Sequence, residues 1–197
     1  MRLYVIRHGE TEWALTGQHT GRSDVPLTSH GQDEARALRP WLARISFDHV
    51  WVSPRQRARD TADLAGFGDV AQVEPDLAEW DYGDYEGRLS ADIRRERPGW
   101  SMFEDGCPNG ESPTELSGRA DRLIERLSGL SGRVALFSHG EIGRALGVRW
   151  IGLPFITGEH LSFSTASLSI LTFKPDDPDV RVIETWNAGP ALSSGPT

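Results

Sequence analysis

The sequence predicts an α/β fold, a single three-layer domain with a mostly parallel central sheet and helices on both faces. Three observations predict it. Apolar runs of strand length alternate with segments of helical period, which is the order that builds parallel strands joined by covering helices. The runs are mainly apolar, as suits strands buried on both faces. At 197 residues and 38% hydrophobic, the chain is long enough for one well-formed core.

The elements follow in order. Residues 3–6 (Leu, Tyr, Val, Ile) open the chain as a buried strand. Residues 31–42 carry Ala35, Leu38 and Leu42 at helical spacing. A second strand covers 49–52, and a helix over 55–65 follows Ser53-Pro54, read as an N-cap with proline at the first helical position. Residues 76–111 are rich in acid, glycine, proline and tryptophan and hold no long periodic element. They read as an excursion from the core, a lid over a site. Ser112-Pro-Thr-Glu115 resembles a capping box opening a helix through 130. A strand at 134–137, a helix at 140–151, a strand at 168–173 and a weaker alternating edge strand at 180–186 complete the pattern. The folded domain is expected over 1–187, with 188–197 as a flexible tail ending in SSGPT.

Composition narrows the function classes. The formal charge of −8 argues against nucleic acid or an anionic membrane surface as the main partner. Lys174 is the only lysine, so no P-loop can be built, and a Schiff-base enzyme is a poor reading. No apolar run reaches the ~18 residues of a membrane span, and Arg7 cuts the first run too early for a signal peptide. Cys107 stands alone and forms no internal disulfide, which suits a reducing cytoplasm. A Gly-x-Ser-x-Gly elbow is missing, which disfavours a serine hydrolase.

The chemistry concentrates at strand ends. The first strand runs into Arg7-His8-Gly9, and the strand at 134–137 ends in Ser138-His139-Gly140. In a parallel sheet both carboxyl ends lie on one edge, where ligands of open α/β folds bind. Two histidines and Arg7 there would form a cationic pocket, with Gly9 and Gly140 permitting close backbone approach. Arg55, Arg57 and Arg59 add charge after another strand. On a helix Arg55 and Arg59 share a face and Arg57 points away, so the three cannot serve one ligand.

These residues belong to a wider set. Arg7-His8-Gly9-Glu10-Thr11, Thr20-Gly21, Pro-Leu-Thr-x-x-Gly (26–31) and Ser-x-x-x-Arg-Ala-x-x-Thr-Ala (53–62) occur in sequence. Leu-x-Glu (77–79), Gly-Asp-Tyr-Glu-Gly (83–87), Gly-Glu-Ser (110–112) and Ser-His-Gly (138–140) follow. Together they resemble the histidine phosphatase superfamily, which includes the cofactor-dependent phosphoglycerate mutases, and imply a phosphoglycerate mutase-like fold. By that resemblance His8 is the nucleophile that takes the phosphoryl group. Arg7, Arg57 and His139 match the phosphate clamp, and Glu79 the proton donor. Thr20, Gly21, Tyr82 and Gly140 fall where relatives contact substrate or phosphate. The resemblance implies no cofactor and no metal, a small phosphorylated metabolite as partner, and allows a homodimer.

The chemistry agrees with the set. Phosphoryl transfer spreads charge over three oxygens, and arginine forks grip them bidentately. His8 must be neutral at the attacking nitrogen, so its other nitrogen should donate to a carbonyl in the Arg7–Gly9 turn. Glu79 must carry a proton, which neighbouring carboxylates would favour.

Two departures from the mutase pattern favour hydrolysis. Ala14 stands where mutases carry asparagine, and the segment from Glu79 to His139 is shorter than their enclosing insertion. Glu141, after His139-Gly140, would repel a second phosphate or accept hydrogen bonds from sugar hydroxyls. The run from Trp13 to Thr28 and the segment 79–87 look more like the acid and sugar-phosphate phosphatase branch. The expected function is a metal-independent phosphatase of small phosphomonoesters. The alternatives are a phosphoglycerate mutase, a protein phosphohistidine phosphatase, or an inactive phospho-ligand-binding regulatory protein.

Overall fold

One sheet organises the molecule, and its strand order decides where the site falls. The computed structural model describes residues 1–189. Its strands are β1 (Arg2–Arg7), β2 (His49–Val52), β3 (Gln72–Val73), β4 (Arg133–Ser138), β5 (Leu168–Lys174) and β6 (Asp177–Ala188). They lie in the order β3-β2-β4-β1-β5-β6. The first four in that order pair in parallel, while β5 and β6 form an antiparallel hairpin added beside β1. In register, Arg7 pairs with Ser138 and Val52 with Phe137. The carboxyl ends of β1 and β4 are therefore level and β2 ends one residue earlier, so that His8 and His139 emerge together with Ser53 close by.

Helices cover both faces, and strand alternation assigns each residue to one. Leu3 and Val5 of β1 pack with Leu136 against Leu123 and Leu127 of α6 (Pro113–Ser128) and Ile142 and Leu146 of α7 (Gly140–Trp150). Tyr4 and Ile6 face the other way, with Phe137, toward Leu38 and Leu42 of α2 (Ser29–Leu42) and Ala58 and Ala62 of α3 (Gln56–Leu64). That alternation is the period-2 geometry of a strand with two apolar faces. No helix among the described residues is long and apolar enough to cross a membrane.

Local signals held where they were physical. Ser112 Oγ accepts the Glu115 N–H at 3.2 Å and the Glu115 carboxylate accepts the Ser112 N–H at 2.8 Å, so the capping box opens α6. The helix closes at Ser128 rather than 130, with Gly129 following.

Helix α3 differs more. It starts at Gln56, Arg55 is its extended N-cap, and no side chain caps it. Ser53, read as that cap, is fully buried at the end of β2 and bonds to His139 instead.

The segment 76–111 has no long element, as expected, but it contains α4 (Ser90–Glu96) and α5 (Met102–Asp105), with α1 (Glu12–Thr16) across from them. Strand β3 escaped notice because both its residues are exposed and only two pair. The edge strand reaches Ala188, so the expected tail loses that residue to β6, and 190–197 lie outside the described residues.

Candidate active site

At the carboxyl edge of the sheet lies a cavity of about 570 Å³ lined by Arg7, His8, Thr20, Glu79, Tyr82 and Gly140, among others. His8 enters it directly from β1. Its backbone N–H donates to Ser138 O at 2.9 Å and its Nδ1 lies 2.7 Å from Gly9 O. A carbonyl only accepts, so Nδ1 carries the hydrogen. Burial pushes the His8 pKa well below 6.5, and the charges of Arg57 and Arg7 push it further. The ring is therefore neutral, and Nε2 holds a lone pair. The accepting carbonyl lies where the sequence required it, in the Arg7–Gly9 turn.

His139 caps the end of β4, fully buried, with its ring centroid 5.2 Å from that of His8. Ser53 Oγ lies 2.6 Å from its Nε2. Burial, Arg57 and then His8 lower its pKa well below 6.5.

Arg57, on the inner face of α3, is fully buried and donates to the carbonyls of Thr20 (2.8 Å), Ser23 (2.9 Å) and Gly21 (3.2 Å). Arg7 donates to Phe163 O. Nε of Arg7, Nε of Arg57 and Nδ1 of His139 are all buried with no hydrogen-bond partner among the described residues. Buried polar atoms are nearly always paired. Three orphans on residues whose charges or rings bear on His8 mark a place short of acceptors, which the oxygens of a tetrahedral oxyanion would supply.

Glu79 sits across the cavity at the start of α7. Its carboxylate accepts the N–H groups of Trp80 (3.0 Å), Glu141 (3.0 and 3.1 Å) and Ile142 (3.1 Å). Its backbone is held from behind by the buried Arg119, which donates to Asp76 O (2.9 Å), Ala78 O (2.5 Å) and Glu79 O (3.3 Å). Glu111 clamps that guanidinium at 2.8 and 2.7 Å, which explains the Gly-Glu-Ser motif.

The neighbouring carboxylates expected around Glu79 lie elsewhere. Asp81 pairs with Arg22 at 2.7 Å, Asp84 accepts from Asn109 at 2.8 Å, and Asp76 faces Arg122 and Arg126 at 3.6 Å. Glu86 accepts the N–H groups of Gly21 (2.8 Å) and Ser23 (3.0 Å). The carboxylates that line the cavity with Glu79 are Glu141, whose charge bears on Arg7, and Glu159.

The remaining predicted residues divide. Tyr82 lines the cavity, and burial, Glu79 and Glu141 raise its pKa well above 10, so it stays a phenol. Gly140 fits between Arg7 and Glu79: a Cβ there would lie 3.5 Å from Arg7 Cζ and from Glu79 Oε2. Thr20 lines the cavity and lends its carbonyl to Arg57.

Gly21 does not line the cavity. It is a backbone crossing, where a Cβ would strike Trp80 O at 2.3 Å, and its carbonyl serves Arg57. None of Arg55, Arg57 and Arg59 lines this cavity; Arg57 alone of the three is fully buried, behind it, where its charge bears on His8.

Sequence reasoning passed over Ser53 as a partner of His139, and His19. The latter stacks on Tyr82 (centroids 4.6 Å apart, planes 25° apart) and lies 3.2 Å from Ser90 Oγ. No local pattern points to His19. Ser53 stood within the Ser-x-x-x-Arg motif, whose serine had no assigned partner. Trp80 is fully buried, its Nε1 donating to Glu111 O at 2.6 Å, whereas Trp13 lines the cavity.

The family model of the histidine phosphatase superfamily (branch 1) matches residues 3–187. The acid phosphatase of Mycobacterium tuberculosis is 42% identical over 177 residues, covering 88% of this chain and 87% of that protein. The sedoheptulose 1,7-bisphosphatase of Saccharomyces cerevisiae is 36% identical over 187 residues, covering 77% and 68%. A solved structure of an open reading frame from M. tuberculosis superposes with a TM-score of 0.90 at 38% identity, covering 96% of this chain and 98% of that one.

Proposed function

The chain belongs to the histidine phosphatase superfamily (branch 1) and is a phosphatase, and from that premise we propose that it hydrolyses small phosphomonoesters, sugar phosphates among them, through a phosphohistidine on His8. One observation carries the reading: a neutral His8 with its lone pair on Nε2, together with unpartnered buried nitrogens on Arg7, Arg57 and His139.

Nε2 of His8 attacks phosphorus in line with the leaving oxygen. Arg7, Arg57 and His139 hold the three equatorial oxygens, whose charge grows in the transition state. Ser53, donating to Nε2 of His139, keeps the hydrogen of that ring on Nδ1, where it meets an oxygen. Glu79 protonates the leaving oxygen as its bond to phosphorus breaks, so the alcohol departs neutral. Water then enters, gives its proton to the Glu79 carboxylate and attacks the phosphohistidine. Inorganic phosphate leaves, and both side chains return to their starting states. Ala14, which lines the cavity without a polar side chain, and the short elements of the covering segment favour water over return of the phosphoryl group. The site acts in the cytoplasm on a small phosphorylated metabolite.

The test is phosphate release from a panel of phosphomonoesters without added metal, with 3-phosphoglycerate isomerisation assayed in parallel. Hydrolysis is expected, with loss below detection in His8→Ala and an acid-labile phosphoenzyme in the wild type. Isomerisation without hydrolysis would make the protein a mutase. Neither activity from folded protein would make it a phospho-ligand binder.

A further inference from the structure

One wall of the cavity takes no part in the transfer chemistry. Helix α7 carries Glu141 immediately after Gly140, and the Glu141 side chain lines the same cavity as Arg7, His8 and Glu79. It is only 13% exposed, and both its oxygens lie 3.1 Å from one nitrogen of Arg144. The charged groups that bear on it are Arg144, Glu79 and Arg7. The remaining neighbour, Tyr82, is held as a neutral phenol.

A buried carboxylate is costly unless something needs it there. Burial first, with Glu79 adding to it and Arg144 and Arg7 opposing, raises its pKa. The nucleophile, the phosphate-facing groups and the proton donor are all accounted for without it. Its place is one residue past the glycine that separates Arg7 from Glu79, so it borders the route of a leaving group held by the phosphate pocket. Further along the cavity the lining continues with hydrogen-bonding groups, Gln18, Ser90, Ser101 and a His19 whose pKa is lowered to about 4, and ends at Arg94, Glu159 and His160.

We propose that Glu141 is a specificity-determining residue that accepts hydrogen bonds from hydroxyls of the leaving group and rejects substrates presenting a carboxylate or second phosphate to the same wall. The proposal rests on the phosphatase reading and names its substrate class as phosphomonoesters of neutral polyols and sugars. Arg144 neutralises part of the Glu141 charge, so the wall repels an anion without attracting a cation strongly. Like charges in a partly desolvated site interact more strongly than in water, so the discrimination survives moderate salt.

Glycerol 3-phosphate and 3-phosphoglycerate test this directly, because they share a carbon skeleton and a phosphate and differ in a terminal hydroxymethyl against a carboxylate. The wild type is expected to favour glycerol 3-phosphate in kcat/KM. Glu141→Gln, which keeps shape and removes charge, should lower that preference at least tenfold, mainly by a gain on 3-phosphoglycerate. Arg144→Gln should move the preference the opposite way, since it uncovers the Glu141 charge. Dissociation constants for the two compounds, measured by calorimetry in the His8→Ala background, give the same comparison without turnover. An unchanged ratio in Glu141→Gln, or a shift of the same sign in both variants, overturns the proposal. A shifted dissociation-constant ratio in a protein that hydrolyses none of the phosphomonoester panel overturns the phosphohistidine hydrolysis proposed above and leaves the charge filter standing.

Discussion

His8 and Glu79 face one cavity, and each is placed by backbone groups more than by side chains. Gly9 O takes the hydrogen of His8, and the N–H groups of Glu141 and Ile142 in the first turn of α7, with that of Trp80, hold the Glu79 carboxylate. A backbone partner holds its position more tightly than a flexible side chain, because it has no rotamers to lose. Glu79→Gln preserves the accepting oxygen and removes the proton that the alcohol needs. Expected losses in kcat are about 10²–10⁴ for alkyl phosphates and much smaller for 4-nitrophenyl phosphate, whose leaving group departs as a stable anion. Equal losses on both substrates would remove Glu79 as the acid. At this scale the sequence crowds Asp76, Asp81, Asp84 and Glu86 into the same stretch as Glu79. Packing decided among them, because each rival has a partner in another element.

The motif Pro-Leu-Thr-x-x-Gly shows what an element contributes. Thr28 caps α2 by accepting the Gly31 N–H at 3.0 Å, and its hydroxyl donates to Glu10 at 2.7 Å. A Cβ on Gly31 would lie 2.1 Å from Glu10 O, and one on Gly9 would lie 2.3 Å from Gly31 O. The two glycines let the first turn of α2 press against the loop that carries His8. This motif is a seat for that loop and makes no lining contact with the cavity. Gly31→Ala should therefore cost about 1–3 kcal/mol of stability by overpacking and weaken binding of inorganic phosphate at the same time. Denaturant melts and phosphate titrations on the purified variant measure both. Stability equal to the wild type would show that α2 slides away freely and that the contact matters little.

Across the whole molecule, the buried histidines make stability depend on pH. His8, His19 and His139 are all held below 6.5 by burial first, His19 at about 4. Unfolded, each would titrate near ~6.5. Between that value and the folded pKa the unfolded chain binds more protons, so stability falls as pH falls through the window. His19 alone accounts for up to about 3 kcal/mol between pH ~6.5 and 4. Glu141, with a raised pKa, works in the opposite sense above pH ~4.5, gaining stability as pH falls toward that value. The difference between wild type and His19→Gln isolates the histidine: urea unfolding at pH 7.5 and 5.0 should show a shallower decline in the variant. Identical declines would mean that His19 is protonated in the folded protein without penalty.

The sequence by itself determined the fold class, the principal strands and helices, the α6 capping box and the pair of strand ends bearing His8 and His139. Those features are local: a period of burial, a cap, a glycine after a strand are each read within a few residues. Only the tertiary structure decided that β4 lies between β1 and β2, with Arg7 level with Ser138 and Val52 with Phe137. It also decided that Ser53 faces His139 rather than capping a helix, that Arg57 rather than Arg55 or Arg59 turns inward, and that Glu141 and His19 share the cavity. Strand pairing joins residues far apart in the chain through backbone hydrogen bonds that are alike at every position. No short pattern encodes which strands meet, and the site exists only where they do.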